Sequence, residues 1–373
     1  MLAIDVETYS SIDLVKCGVY AYTESEDFEI LLFAYAYDNN SVEIIDLACG
    51  EKLPQAVIED LINPNIIKTA FNANFERTCL AKYLNKLMPP EQWRCSAVHS
   101  LELGLPTSLD KVAKCMNLQQ QKMSEGKALL RYFSMPCKPT KSNNGRTRNL
   151  PEHNREKWET FKRYCKQDVE VERTIRKKLD RYPAAENEWK LWALDQKIND
   201  SGVKIDKLLV ENAIRCDEAY QNQKIKEAAA LTNLKNPNSP SQLKEWLETK
   251  GIKVKSLSKE KVKELLGEVE DSSVKRVLEL RQELSKTSVK KYEAMKRAMC
   301  HDERVRGLMK FYGANRTGRW SSKLVQTQNL PRNNMDNLED ARKLLKTGNF
   351  DMLEILFDSM PDVLSQLIRT AFI

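Results

Sequence analysis

A chain of 373 residues with 41% hydrophobic and 30% charged residues can bury a sizeable core, and its length fits about two or three domains. Sixty basic against 53 acidic residues leave a net charge of +7, a mild excess that by itself requires only a solvated surface. Nine scattered cysteines without a C-x-x-C pair argue against a disulfide framework or a zinc site, and only three histidines weaken any imidazole mechanism.

In chain order, Leu2–Val6 reads as a short strand that runs into an acidic pair, followed by strands over Phe28–Tyr37, Val42–Leu47 and Ile66–Phe71. Helical spacing covers Asn74–Leu87 and Ser108–Asn117, and the mixture predicts an α/β domain with one sheet. Residues 138–150 form a polar loop carrying Lys138, Lys141, Arg146 and Arg148, read as a solvated loop with single-strand phosphate contact as the alternative. A long helix is expected from Pro151 to about Asp180, with Trp158, Phe161, Cys165, Val169, Glu172 and Ile175 on successive turns and Tyr182-Pro183 closing it. From Ala184 to about Met309 the pattern is nearly all helical and turns lysine-rich past Lys250, with a turn cluster at Asn236-Pro237-Asn238-Ser239-Pro240. Phe311–Pro331 changes character, with Gly313, Gly318 and a polar run. No apolar run approaches the roughly 18 residues of a membrane span and no signal peptide is evident, so a cytosolic protein with no membrane partner is expected.

Four carboxylates stand out. Asp5 and Glu7, two apart on the first strand, share a face; Glu76 lies four residues after Asn72, just beyond another strand; Asp168 lies four after Tyr164, on one face of the long helix. Gathered together they would repel by roughly 4 kcal/mol per pair at about 4 Å and an effective dielectric near 20. Divalent cations would remove that penalty, and an all-oxygen site suits Mg²⁺ or Mn²⁺.

Asp5-x-Glu7, Asn72-x₃-Glu76 and Tyr164-x₃-Asp168 resemble, in order and in element type, the three motifs of the DEDD exonuclease superfamily, in its tyrosine subgroup. The resemblance implies an RNase H-like 3′→5′ exonuclease whose Asp5, Glu7, Glu76 and Asp168 bind two metal ions while Tyr164 orients the attacking water. Asn72, Phe75 and Thr8 would help position the terminal nucleotide. Glu76 departs from the family, which more often has aspartate there; its metal contact is expected to be shifted or water-mediated and activity lowered.

The resemblance continues past the exonuclease. Asn236-Pro-Asn-Ser-Pro-Ser-Gln242-Leu243, the basic helices after it, and Arg316-Thr317-Gly318-Arg319-Trp320-Ser321-Ser322…Gln328-Asn329-Leu330-Pro331-Arg332 look like the thumb and early palm of family A DNA polymerases, closest to phage members. Arg316, Arg319, Gln328 and Asn329 would then contact primer–template DNA. The expected domains are 1–183 (exonuclease), 184–310 (helical, thumb-like, with Lys250–Lys310 on phosphates) and 311–373 (start of a truncated palm). The nucleotide-binding aspartates of the family should follow Arg369–Ile373, so the chain alone is not expected to polymerise. His301-Asp302-Glu303 imitates a later polymerase motif but precedes the T-G-R string, and reads as a surface cluster.

The leading expectation is a metal-dependent proofreading exonuclease acting on a DNA 3′ end, in the host cytosol if phage-encoded. The alternative is a non-catalytic DNA-binding and assembly half of a split polymerase, paired with a separate C-terminal half. An interrupted palm would expose Leu353, Ile355, Leu356, Leu364, Leu367 and Ile368 to such a partner. An RNA exonuclease is the third option, since nothing in the acidic site distinguishes sugars.

Overall fold

The first strand, Leu2–Tyr9 (β1), alternates its side chains between two buried layers. Leu2, Ile4 and Val6 enter one apolar cluster, while Ala3 and Tyr9 enter another, and Asp5 and Glu7 share the face of Ala3. The remaining strands are Glu29–Tyr37 (β2), Glu43–Asp46 (β3), Lys68–Ala70 (β4) and Trp93–Cys95 (β5). They form one sheet in the order β3-β2-β1-β4-β5, with β2 antiparallel to β1 and β3, β4 parallel to β1, and β5 parallel to β4. This is the mixed, helix-flanked sheet expected from the sequence. The structure, a computed structural model, describes residues 1–119, 123, 125–285 and 289–373; Lys286, part of the basic stretch singled out above, lies outside them.

A register shift between Glu7 and Thr8 skips Leu31 in β2. Leu31 and Leu32 consequently bury into the same cluster although they are adjacent in sequence. A bulge of this kind re-aims side chains at the end of a strand, here beside Glu7.

The first compact unit comprises Met1–Val203 and Arg297–Gln328. Its helices are Leu14–Thr23 (α1), Gln55–Ile62 (α2), Ala73–Leu84 (α3), Ser96–Glu102 (α4), Leu109–Cys115 (α5), Gly126–Phe133 (α6), Arg155–Leu179 (α7) and Glu186–Ser201 (α8). α7 is the long helix expected after Pro151. Asn154 caps it by accepting from Lys157 N, and Trp158 Nε1 donates to the buried Asp46 Oδ2 at 2.8 Å, which ties the helix to β3. α8 is fixed to α3 by Arg77, whose guanidinium donates to both oxygens of Asp200 at 2.6 and 2.9 Å. A hairpin, Met309–Ala314 and Arg319–Ser322, completes this unit. Asn199 on α8 exchanges two hydrogen bonds with the Met309 backbone, and Phe311, Tyr312 and Trp320 join the cluster that holds Leu2, Ile4 and Val6.

The second unit comprises Lys204–Lys296 and Asn329–Ile373. Its helices include Lys207–Thr232 (α9), Pro240–Thr249 (α10), Lys259–Glu268 (α11) and Ser272–Leu284 (α12), and α10–α12 share a core of Leu243, Leu247, Val262, Leu265, Val274, Val277 and Leu278. The turn at Asn236–Ser239 precedes α10 as expected, Ser239 N donating to Asn236 O at 3.0 Å. Motif order divides the chain at 183 and 310; compactness divides it elsewhere, because α8 and the hairpin pack with the sheet.

One expectation about the last segment is corrected. Leu353, Leu364, Leu367 and Ile368 are fully buried, leaving only Ile355 and Leu356 exposed. The 360–367 and 338–347 helices pack with α9, Tyr292 Oη donates to Leu364 O at 2.7 Å, and Asp206 pairs with Arg342 and Lys346 at 2.6 and 2.8 Å. Four of the six apolar side chains expected to be exposed there are therefore buried in a core, and Ile355 and Leu356 are not.

Candidate metal centre

The elements carrying the three motifs meet at one place. β1 presents Asp5 and Glu7 toward α7, α7 presents Tyr164, Cys165 and Asp168 toward β1, and α3 contributes Glu76 from its first turn. Glu7, Glu76, Tyr164, Cys165 and Asp168 are buried and Asp5 is half-buried. One ligand atom each from Asp5, Glu7 and Cys165 falls within 4.8 Å of the others.

These groups act on one another electrostatically. Burial, and then the charge of Asp5 with smaller contributions from Glu172 and Asp168, hold the Glu76 carboxyl far above the usual carboxylate range. Burial, followed by Glu7, Asp168 and Asp5, drives the Tyr164 phenol upward, and its hydroxyl donates to Asp168. Burial, Asp5 and Glu7 likewise push the Cys165 thiol up. Glu172, one turn beyond Asp168, is raised chiefly by burial and accepts from Ser96 Oγ.

Glu76 Oε2 is buried and has no hydrogen-bond partner among the described residues. An orphaned carboxylate oxygen in a set of convergent oxygen donors fits a divalent cation, since a buried charge is otherwise costly. Asp5 is the strongest charged neighbour of the Glu76 carboxyl, but Glu76 is not in the set of ligand atoms that lie within 4.8 Å of one another, which holds Asp5, Glu7 and Cys165.

Tyr164 is held from two sides. Its ring stacks on Phe161 with centroids 6.1 Å apart and planes 12° apart. On the other side α6 approaches so closely that a Cβ at Gly126 would lie 2.2 Å from Tyr164 Cε2.

The remaining candidates are placed less uniformly. Asn72 is exposed at the start of α3 and Phe75 is half-buried against Tyr22, with ring centroids 6.4 Å apart. Both line a cavity of about 500 Å³, with Lys310 and Lys323 among its other walls. Thr8 is buried and shares a 2.9 Å hydrogen bond with Tyr22 Oη, so its hydroxyl is already engaged. In the loop 138–150, Lys138 and Lys141 are exposed, whereas Arg148 stacks on Tyr9 at 3.7 Å and pairs with Glu29, and Arg146 donates to Asn149.

No protein-family model matches the chain. Over 372 of its 373 residues the chain is 60% identical to a DNA polymerase of Bacillus phage SP02. This chain is a homologue of a phage DNA polymerase. It spans 57% of that polymerase's length. Among solved structures, its fold matches the POL domain of Pol1 from M. smegmatis, determined in complex with DNA primer-template and dNTP. That match has a TM-score of 0.52 and 14% identity, and covers 91% of this chain and 53% of the other. The expected likeness to a phage DNA polymerase therefore holds in sequence, and the Pol1 domain shares the fold. NrnC of Brucella melitensis, solved with bound Mg²⁺, aligns more weakly, at a TM-score of 0.34 and 13% identity over 54% of this chain and 85% of that one.

In this polymerase homologue, Arg316 and Arg319 are exposed at the hairpin, and Gln328 is exposed while its Oε1 accepts from Ser322 N at 3.2 Å. Asn329 is exposed and belongs to the second unit. Among the described residues no helix is long and apolar enough to cross a membrane. The sequence marked Cys165 only as one of the residues on successive turns of the long helix; its Sγ lies 3.4 Å from Asp5 Oδ2. The available signal was its place directly after Tyr164 and three before Asp168, on the face of α7 that carries both.

Proposed function

We propose that this homologue of a phage DNA polymerase is a metal-dependent 3′→5′ exonuclease that trims DNA ends, the proofreading part of a longer polymerase. The observation that supports the reading is that β1 puts Asp5 and Glu7 within reach of a single ion, with Glu76 of α3 and Tyr164 and Asp168 of α7 close enough to be electrostatically coupled to them. The four carboxylates would hold two divalent ions, Mg²⁺ or Mn²⁺, which when bound activate a water and stabilise the leaving oxygen of a phosphodiester. Tyr164 Oη, fixed by Phe161 and α6, is placed to orient the attacking water by hydrogen bonding. In the first turn of α3, the ionised Glu76 carboxylate that an ion would require is favoured by the helix dipole. Asn72 and Phe75 would steady the terminal nucleotide at the mouth of the neighbouring cavity, and Arg316, Arg319, Gln328 and Asn329 would contact primer–template DNA. DNA rather than RNA is supported by the 60% identity to a DNA polymerase.

Digestion of a 5′-labelled single-stranded DNA oligonucleotide with Mg²⁺ or Mn²⁺ tests the reading, beside an EDTA control and Asp5→Ala. A ladder shortening from the 3′ end, abolished by EDTA and reduced by at least about a hundredfold in the variant, is expected. DNA binding without a ladder under either metal would sink it and leave the non-catalytic reading, a DNA-binding half that works with a separate polymerase half.

A further inference from the structure

Cys165 has no part in the carboxylate chemistry above, yet it sits in its midst. It is fully buried on α7, with Sγ 3.4 Å from Asp5 Oδ2 and 3.9 Å from Asp5 O. With Asp5 and Glu7 it forms a set of ligand atoms all within 4.8 Å of one another, close enough to surround one ion. With metal–sulfur and metal–oxygen bonds of about 2.3 and 2.1 Å, the 3.4 Å separation from Asp5 subtends an angle of about 100° at the ion, near the tetrahedral value that zinc adopts. A second observation points to the same place. Glu76 Oε2 is buried without a partner among the described residues, and Asp5 is the charge acting most strongly on that carboxyl.

We propose that Cys165 is a metal ligand beside Asp5 and Glu7, and that this centre takes thiophilic divalent cations, of which Zn²⁺ and Cd²⁺ are the type, more tightly than Mg²⁺. Sulfur is a soft donor and selects such ions, whereas Mg²⁺ demands oxygen ligands in near-octahedral array. Binding forms a sulfur–metal bond and breaks the S–H bond, the proton leaving to solvent; no electron is transferred. The regulatory consequence rests on the exonuclease reading: a thiophilic ion occupying Asp5 and Glu7 displaces the hard ions that hydrolysis needs, so traces of zinc switch the activity off. The ligand assignment itself does not depend on that reading.

Titration of the full chain with Co²⁺, followed by sulfur-to-cobalt charge-transfer absorption in the near ultraviolet, tests the assignment. The wild-type protein should show the band; Cys165→Ser should lose it, while Cys115→Ser, at an exposed cysteine elsewhere, should keep it. Asp5→Asn leaves the thiol in place and should weaken Co²⁺ binding by at least about tenfold, which provides a second route whatever serine does to local packing. A full band in Cys165→Ser, an absent band in the wild type at saturating Co²⁺, or unchanged affinity in Asp5→Asn overturns the proposal. The Mg²⁺ digestion, run on the same preparation with and without Zn²⁺, separates the two readings. Digestion without a cobalt band removes the thiol ligand and keeps the exonuclease; a band without digestion does the reverse.

Discussion

A carboxylate buried in the first turn of a helix, with another carboxylate as its strongest charged neighbour, costs folding free energy until a cation arrives. Glu76 is in that position. Its folded-state pKa lies above the unfolded value, so the protonated form is favoured on folding. The stability it contributes is complete below the ordinary carboxylate range and is lost as pH rises through the folded value. Without metal, Glu76→Gln should therefore be more stable than the parent at neutral pH, by roughly 1–3 kcal/mol, with the gap closing below about pH 4. With Mn²⁺ the order should reverse, because the parent, with its full set of carboxylates, gains more from the ion than the variant. Thermal melts in EDTA and in Mn²⁺ at several pH values check both signs; a variant less stable in EDTA would show that Glu76 is satisfied without metal.

At the scale of elements, α7 carries Tyr164 and α6 holds it in place. The contact depends on Gly126 having no side chain, since a Cβ there would lie 2.2 Å from the Tyr164 ring. Gly126→Ala should cost about 1–3 kcal/mol in stability and lower the exonuclease rate by at least about tenfold through the displaced ring, with little change in DNA affinity. Single-turnover digestion beside a melting curve checks this, and an alanine variant at the full rate would remove α6 from the account. The strands were legible where apolar runs are long, as in β2, and where an acidic pair follows a hydrophobic start, as in β1. β5 was not, because three residues, Trp93–Cys95, are too few to show a period. α1 was not either: Gly18 interrupts it at φ 78° and breaks the helical spacing. The carboxylates could be read as motifs, each local to one element. The approach of Cys165 to Asp5 could not, because it arises only when α7 packs on β1 across 160 residues of sequence.

For the whole molecule, the division into two units separates a compact acidic centre from a lysine-bearing helical region. On the second unit Lys250, Lys253, Lys255, Lys259, Lys263 and Lys275 are exposed, while Arg276 is taken up by Glu227, Glu279 and Glu283. If those lysines hold DNA phosphates, log affinity for primer–template DNA falls linearly with log salt, losing about 0.9 in slope for each phosphate neutralised. Reversing Lys253, Lys255 and Lys259 to glutamate should flatten that slope by roughly 2–3. Fluorescence anisotropy across a salt series measures it, and an unchanged slope would place the DNA elsewhere. The first unit also has a schedule. Its sheet is encoded before residue 100, but the hairpin bearing Phe311 and Trp320, which joins the sheet's own cluster, is encoded only after residues 204–296. A ribosome adding about 5–20 residues per second leaves that apolar face uncovered for roughly ten seconds or more. The nascent chain is thus most vulnerable to chaperone capture or aggregation in the interval after the sheet has formed and before this hairpin has emerged.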